Sequence, residues 1–130
     1  MISVIADTGP LYAAYDPSDR YHAQAHAELK RLQNCSVFVP YPVFLETHSL
    51  LLKRLGTRIG FRHLQEISAG AELLQPTVGD YQTATQMLQR YPDQRITLCD
   101  ATTAATSQRL KFAIWTYDFH FDVMNSLVWR

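Results

Sequence analysis

Apolar runs of three to five residues alternate along this chain with longer amphipathic segments. The run 2–6 is rich in β-branched residues and predicts a buried strand that ends at Asp7. The runs 37–39 and 112–115 predict two more strands, and 72–74 and 126–129 predict two further short ones.

The segments between these runs have helical periodicity or helix-start signals. They predict helices over 11–15, from 18 or 19 to 32, and over 42–55, 57–68, 80–90 and 98–110. In the 42–55 helix we expect Phe44, Leu45, Leu51 and Leu52 to contact the core. Strands that alternate with helices predict an α/β fold, with a mostly parallel sheet covered on both faces and the first strand at its centre.

Composition is that of an ordinary globular chain. Its 130 residues, 47% of them hydrophobic, predict one domain over 1–130. No stretch approaches the roughly 18 unbroken apolar residues of a membrane helix, and the N-terminus lacks a signal-peptide pattern. We therefore expect a complete, cytoplasmic protein that does not enter a membrane. Cys35 and Cys99 have no metal-ligand spacing, and we expect reduced structural thiols.

Four acidic residues lie where predicted strands end or predicted helices begin. Asp7 follows the first strand and Asp118 follows the 112–115 strand, whereas Glu46 and Asp100 lie in the first turns of helices. In a doubly wound sheet these ends share one edge, so we expect the four carboxylates to lie along one rim. Taken alone, Glu46 has an ordinary explanation as a solvated residue, Asp100 as a helix-dipole residue and Asp118 as a turn residue. Asp7 is harder to explain in this way, because the Thr-Gly-Pro cluster after it already makes the turn, and four independent coincidences at one rim are improbable.

Carboxylates held together repel one another unless a cation lies among them. A ligand set made only of oxygen suits Mg²⁺ or Mn²⁺, which activate water and orient phosphate groups. The residues therefore favour phosphodiester hydrolysis, with the hydroxyls of Thr8 and Thr116 supporting the carboxylates through hydrogen bonds.

In their order and context these motifs resemble the PIN domain, and within it the short VapC-type toxins. The motifs are Asp-Thr-Gly-Pro-Leu from Asp7, Pro-Val-Phe-Leu-Glu ending at Glu46, Leu-Cys-Asp-Ala-Thr around Asp100, and Trp-Thr-Tyr-Asp ending at Asp118. Each motif alone is weak, but the four in this order cover nearly the whole chain. Cys99 stands where a hydrophobic residue is more usual.

The resemblance implies a three-layer α/β/α sandwich and a metal-dependent ribonuclease. It assigns the catalytic and metal-binding roles to Asp7, Glu46, Asp100 and Asp118, and the supporting hydroxyl to Thr116. It further implies a homodimer that a cognate antitoxin holds inactive. Asp122 is a second acid near the fourth position, although the spacing from the preceding strand favours Asp118.

Other features leave alternatives open. The net charge is zero, which argues against nucleic-acid binding through a broad positively charged surface. A local basic stretch could still steer RNA phosphates toward the site. The candidates for RNA contacts are Lys53, Arg54, Arg58, Arg62 and His120; a plain solvated face is the alternative for the basic stretch. A phosphatase with Asp7 as nucleophile would need a second acid at the position of Gly9. A housekeeping PIN ribonuclease and a non-catalytic PIN-like binding module also remain as alternatives to the toxin.

Overall fold

A sheet of four parallel strands forms the centre of the computed structural model, which describes residues 2–130. The strands are β1 (Ser3–Ala6), β2 (Ser36–Pro40), β3 (Glu72–Leu74) and β4 (Ala113–Trp115). They lie in the order β3-β2-β1-β4, so β1 is an inner strand as expected. The prediction of an α/β fold around a parallel sheet is confirmed.

Seven helices are assigned among the described residues. They are α1 (Thr8–Tyr15), α2 (His22–Arg31), α3 (Tyr41–Leu55), α4 (Thr57–Gly70), α5 (Val78–Arg90), α6 (Leu98–Leu110) and α7 (His120–Val123). The side chains of Thr77 and Thr97 cap α5 and α6 by accepting backbone N–H groups. Gly56, with φ of 94°, separates α3 from α4. No helix within residues 2–130 is long and apolar enough to cross a membrane.

Two hydrophobic clusters pack against the sheet, and the strands contribute alternate residues to them. Val4, Ala6 and Trp115 belong to a cluster built with side chains of α1 to α4. Ile114, the neighbour of Trp115, belongs to the other cluster, which is built largely from α5, α6 and Phe121. This alternation is the two-residue period of a strand, and it places helices on both faces of the sheet.

Most helix and strand bounds lie within two residues of the sequence prediction, and three differences are larger. The first helix begins at Thr8 rather than at residue 11, because Pro10 falls in its first turn, where a missing N–H costs nothing. The second helix begins at His22, after an Asp19 turn. The predicted strand 126–129 is reduced to an isolated parallel bridge between Val128 and Ile114.

Two of the expected core contacts on α3 are wrong. Leu51 is fully buried, but Leu45 is 63% exposed and Leu52 is 45% exposed. A helix packed on one side buries one face only, and these two side chains, two turns apart, share the outer face. Phe61 on α4 is also 62% exposed, so α3 and α4 present large apolar side chains to solvent.

An ion pair between the buried carboxylate of Asp80 and the exposed side chain of Arg109 joins α5 to α6. Both Asp80 oxygens accept from Arg109, at 2.8 Å from Nε and 2.9 Å from Nη2. Asp80 also accepts from the Thr106 hydroxyl and the Thr77 backbone N–H, and it is only 3% exposed. This acid therefore fixes the packing of two helices.

Candidate metal centre

Asp7 lies at the junction of β1 and α1, beside the end of β4. Its backbone N–H donates to the carbonyl of Trp115 at 2.9 Å, which continues the parallel ladder one step past the strand. The next residue of that neighbouring segment, Thr116, donates its hydroxyl to Asp7 Oδ2 at 2.8 Å. Asp7 is 4% exposed, and its Oδ1 is buried with no hydrogen-bond partner. One carboxylate oxygen is thus oriented by protein, and the other is free to bind a cation.

The other acids act on Asp7 and on each other through their charges. Burial, followed by the charges of Asp100 and Asp118, raises the pKa of Asp7 to about 7, against the hydrogen bond from Thr116. Burial, followed by the charges of Asp118 and Glu46, likewise raises the pKa of Asp100 to about 6. The structure therefore brings the four carboxylates predicted from the sequence into one mutually repelling group.

Local backbone structure presents Asp100 and Asp118 at this rim. Asp100 is the third residue of α6, and its N–H donates to the capping hydroxyl of Thr97 at 3.1 Å. Asp118 follows β4, with its N–H donating to the Thr116 hydroxyl at 3.0 Å. Its Oδ1 accepts the backbone N–H of His120 at 2.9 Å, so Asp118 also shapes the turn into α7. Thr116 thereby links two of the four acids.

The alternative fourth acid points elsewhere. Asp122 lies in α7, where its side chain is 55% exposed and pairs with Arg130 at 3.1 Å. A group of ligand atoms that lie within 4.8 Å of one another contains Asp118, Asp100 and His120, whereas Asp7, Glu46 and Asp122 lie outside it. The geometry therefore favours Asp118.

Glu46 reaches the rim from α3 and has an unusual neighbour. It is half-buried, and it forms a side-chain hydrogen bond with the thiol of Cys99. Burial raises the pKa of Cys99 well above its usual range, and the charges of Glu46, Asp7 and Asp100 raise it further. The thiol therefore stays protonated beside the carboxylates, and both cysteines are free.

Glu28 is a supporting residue that the sequence did not suggest. It lies on α2, and its Oε1 accepts from the indole N–H of Trp115 at 3.1 Å and from the hydroxyl of Tyr117. These donors flank Thr116, and the Tyr117 ring stacks on Tyr21 with centroids 4.4 Å apart. Because Glu28 is 87 and 89 positions from its partners, no local pattern could have identified it.

Thr8 supports Asp7 in a different way from the one predicted. The hydroxyl of Thr8 is buried without a hydrogen-bond partner, so the predicted hydrogen bond from it is absent. Thr8 supports Asp7 through its backbone, whose hydrogen bond lowers the pKa of that acid.

The candidate RNA-binding cations of α3 and α4 are exposed; they are Lys53, Arg54, Arg58 and Arg62. Two of them lie over rings of α1, with Arg54 5.1 Å from the Tyr12 centroid.

The donor set fits a divalent cation. Four carboxylates meet at the carboxyl edge of a parallel sheet, with one buried oxygen of Asp7 unpartnered. Hard divalent ions bind such oxygen ligands, and the positive charge would relieve the repulsion that raises these pKa values. Fold and rim together define an α/β protein with a candidate metal centre of the kind used in phosphoryl chemistry.

The comparison with known families agrees with this class. The PIN domain family model matches residues 4–127. The chain therefore belongs to the PIN domain family.

Individual relatives give the same assignment. Ribonuclease VapC26 of Mycobacterium tuberculosis is 28% identical over 109 residues, which cover 83% of this chain and 80% of that protein. The structure of Mycobacterium tuberculosis VapC20, described as a sarcin-ricin loop cleaving toxin, superimposes with a TM-score of 0.88 at 20% identity over 98% of both chains. A chain of VapBC2 from Rickettsia felis, solved with a promoter DNA fragment, gives 0.78 at 12% identity over 98% of this chain and 96% of that chain. The two structures show that the fold is shared.

Proposed function

We propose that this protein is a metal-dependent endoribonuclease that hydrolyses phosphodiester bonds of RNA. The observation that carries the proposal is the meeting of Asp7, Glu46, Asp100 and Asp118 at one sheet edge, with Asp7 Oδ1 buried and unpartnered. Membership of the PIN domain family and the similarity to a protein named as a ribonuclease support the same activity.

Each residue of the rim has a distinct part in this proposal. The four carboxylates would hold the divalent ion, which when bound supplies a nucleophile by lowering the pKa of water and stabilises charge on the phosphate. Thr116 holds Asp7 Oδ2 through a hydrogen bond, which leaves the unpartnered Oδ1 to bind the cation. Glu28 holds the two aromatic residues on either side of Thr116 and thereby keeps the strand end in place.

RNA would approach the rim along an exposed basic surface. Lys53 and Arg54 lie on α3, the helix that also carries Glu46, and Arg58 lies at the start of α4. Arg62 already pairs with Glu66 at 3.3 Å, an exposed pair that would exchange for a phosphate at small cost. Binding through these residues predicts an affinity that falls steeply with salt.

We propose further that the nuclease is the toxin of a toxin–antitoxin pair and forms a homodimer. The similarity to VapC and VapBC proteins supports this role. An apolar groove of about 320 Å³ between α1, α2 and α4, lined by side chains such as Leu11, Leu29 and Ile67, is a surface suited to an antitoxin segment.

The test is cleavage of total cellular RNA by purified, antitoxin-free protein with Mg²⁺, Mn²⁺ or EDTA. We expect discrete fragments that need the metal and disappear for Asp7→Asn and Asp100→Asn. The matched control is Asp122→Asn, which removes a nearby carboxylate that lies outside the group and should leave cleavage unchanged. Equal cleavage by wild type and Asp7→Asn would overturn the proposal.

Expression in a bacterial host separates the toxin from a housekeeping ribonuclease. Wild type should arrest growth, and Asp7→Asn produced at the same level should not. Normal growth with active nuclease present would contradict the toxin role and favour the housekeeping one.

A further inference from the structure

His120 faces the acids of the rim more closely than its place in a short helix suggests. Its Nδ1 lies 3.2 Å from Asp118 Oδ1, and its side chain is only 16% exposed. His120, Asp118 and Asp100 each offer a ligand atom, and these atoms lie within 4.8 Å of one another. A ring nitrogen and two carboxylates therefore converge on one point beside Asp7.

The nitrogen is close to the carboxylate without being hydrogen-bonded to it. His120 Nδ1 is buried and has no hydrogen-bond partner among the described residues, although Asp118 Oδ1 is near. The backbone N–H of His120 already donates to that same oxygen at 2.9 Å. The imidazole is thus held against Asp118 by the turn, and its nitrogen is left for another partner.

A second observation concerns Asp7, a neighbouring acid of the same rim. Asp7 Oδ1, on a side chain that is 4% exposed, is also buried and unpartnered. Asp100 and Asp118 are close enough for their charges to raise the pKa of Asp7, after burial, so its carboxylate lies near two members of the group that His120 joins. Seven buried side-chain atoms lack a partner among the described residues, and these two belong to residues of the acidic rim, where one shared cation would be a partner for both.

We propose that His120 is a ligand of the metal ion, and that its nitrogen makes the site prefer Mn²⁺ to Mg²⁺. The inference rests on the proposed metal-dependent function and adds a residue and a metal preference to it. The 3.2 Å between His120 Nδ1 and Asp118 Oδ1 is short enough for both atoms to bind the same ion. Mg²⁺ strongly favours oxygen ligands, whereas imidazole suits transition metals.

This role differs from the phosphate contact predicted for His120 from the sequence. A phosphate-binding imidazole would point to the open side of a site. The His120 ring is instead largely covered and lies against two carboxylates, which repel a phosphate unless a cation lies between them.

Pulsed electron paramagnetic resonance of Mn²⁺ added to the metal-free protein tests the proposal directly. A coordinated imidazole gives a nitrogen modulation, which we expect in wild type and not in His120→Gln, a substitution that keeps an oxygen donor. The matched control is His26→Gln. His26 lies on α2 beside His22, with ring centroids 4.5 Å apart, and is outside the group of His120 and the two acids. That variant should keep the modulation.

Titration calorimetry with Mn²⁺ and Mg²⁺ gives a second measure. His120→Gln and His120→Ala should weaken Mn²⁺ binding by at least about tenfold, the loss usual even for residues that only orient a ligand. Mg²⁺ binding should change much less. Circular dichroism establishes that both variants are folded.

The outcomes separate this inference from the proposed function. Mn²⁺ bound by wild type without the nitrogen modulation, or a modulation that persists in both His120 variants, would overturn the inference and leave the four-carboxylate site standing. A wild-type protein that binds neither Mn²⁺ nor Mg²⁺ would overturn the inference together with the metal dependence of the nuclease.

Discussion

Replacing Asp7 with Asn should stabilise the metal-free protein at neutral and alkaline pH while removing its activity. The carboxylate of Asp7 is 4% exposed and lies among other acids, so its negative charge is poorly solvated and repelled. An asparagine has nearly the same shape, and its amide oxygen can accept the hydrogen bond that Thr116 donates to Asp7. The substitution therefore removes the charge and little else.

The magnitude follows from the raised pKa. Burial first, and Asp100 second, raise the pKa of Asp7 from 3.8 to about 7. Each pH unit between these values lowers the free energy of unfolding of the wild-type protein by about 1.36 kcal/mol, which gives about 4 kcal/mol in total. Because the folded-state pKa is raised, full stability is present below pH 3.8 and is lost as the pH rises through 7. An unpartnered amide N–H₂ offsets about 1–2 kcal/mol, so the expected gain at pH 8 is about 2–3 kcal/mol.

Urea unfolding from pH 4.5 to 8.5 in EDTA, followed by the fluorescence of buried Trp115, measures this difference. The stability of Asp7→Asn relative to wild type should rise with pH and level off above about 7. Asp122→Asn, at an exposed ion pair, should stay within about 0.5 kcal/mol of wild type throughout. A difference that does not change with pH, or a less stable Asn variant at pH 8, would refute the reasoning.

Three further variants test the surrounding structure. Asp80→Asn should lower the free energy of unfolding at pH 7 by about 1–3 kcal/mol, because Asp80 and Arg109 lose a bidentate hydrogen bond while the exposed Arg109 stays solvated. Burial opposes the effect, but the hydrogen bonds from Arg109 lower the pKa of Asp80, so the wild-type advantage should shrink as urea unfolding is repeated at lower pH. Glu28→Ala should lower the free energy of unfolding by about 2–3 kcal/mol, because the strand end that Tyr117 helps to hold is released. The same variant should bind Mn²⁺ more weakly in calorimetry, and unchanged binding would contradict the positioning role of Glu28. We predict that the exposed apolar side chains of α3 and α4 form the dimer contact, so Leu52→Glu, at a side chain that is 45% exposed, should make the protein monomeric in light scattering without loss of stability. A monomeric wild type would contradict the dimer, and a dimeric Leu52→Glu variant would contradict this contact.

Much of the fold could be predicted because local signals and tertiary structure agree. Helix 98–110 and strand 72–74 have the predicted bounds, and the capping hydroxyl of Thr97 lies one residue before that helix. The convergence of the four acids followed from a topological rule rather than from local pattern: parallel strands bring their carboxyl ends to one edge.

The remaining features depend on contacts that a linear sequence does not contain. Leu45 and Leu52 have the spacing of core residues, but the sequence cannot say whether the face they share meets the sheet or solvent. Glu28 accepts a hydrogen bond from Trp115, a residue 87 positions further along the chain. His120 is two residues from Asp118 in the sequence, but only the turn at the start of α7 shows that its ring nitrogen lies close to the acids.

The central claim is that these carboxylates hold a divalent ion, and anomalous diffraction from crystals soaked in Mn²⁺ tests it most directly. We predict a peak within coordination distance of Asp7 Oδ1, Asp100 and Asp118, which disappears in crystals of Asp100→Asn. A peak only at another site, or no peak at a saturating Mn²⁺ concentration, would contradict the account.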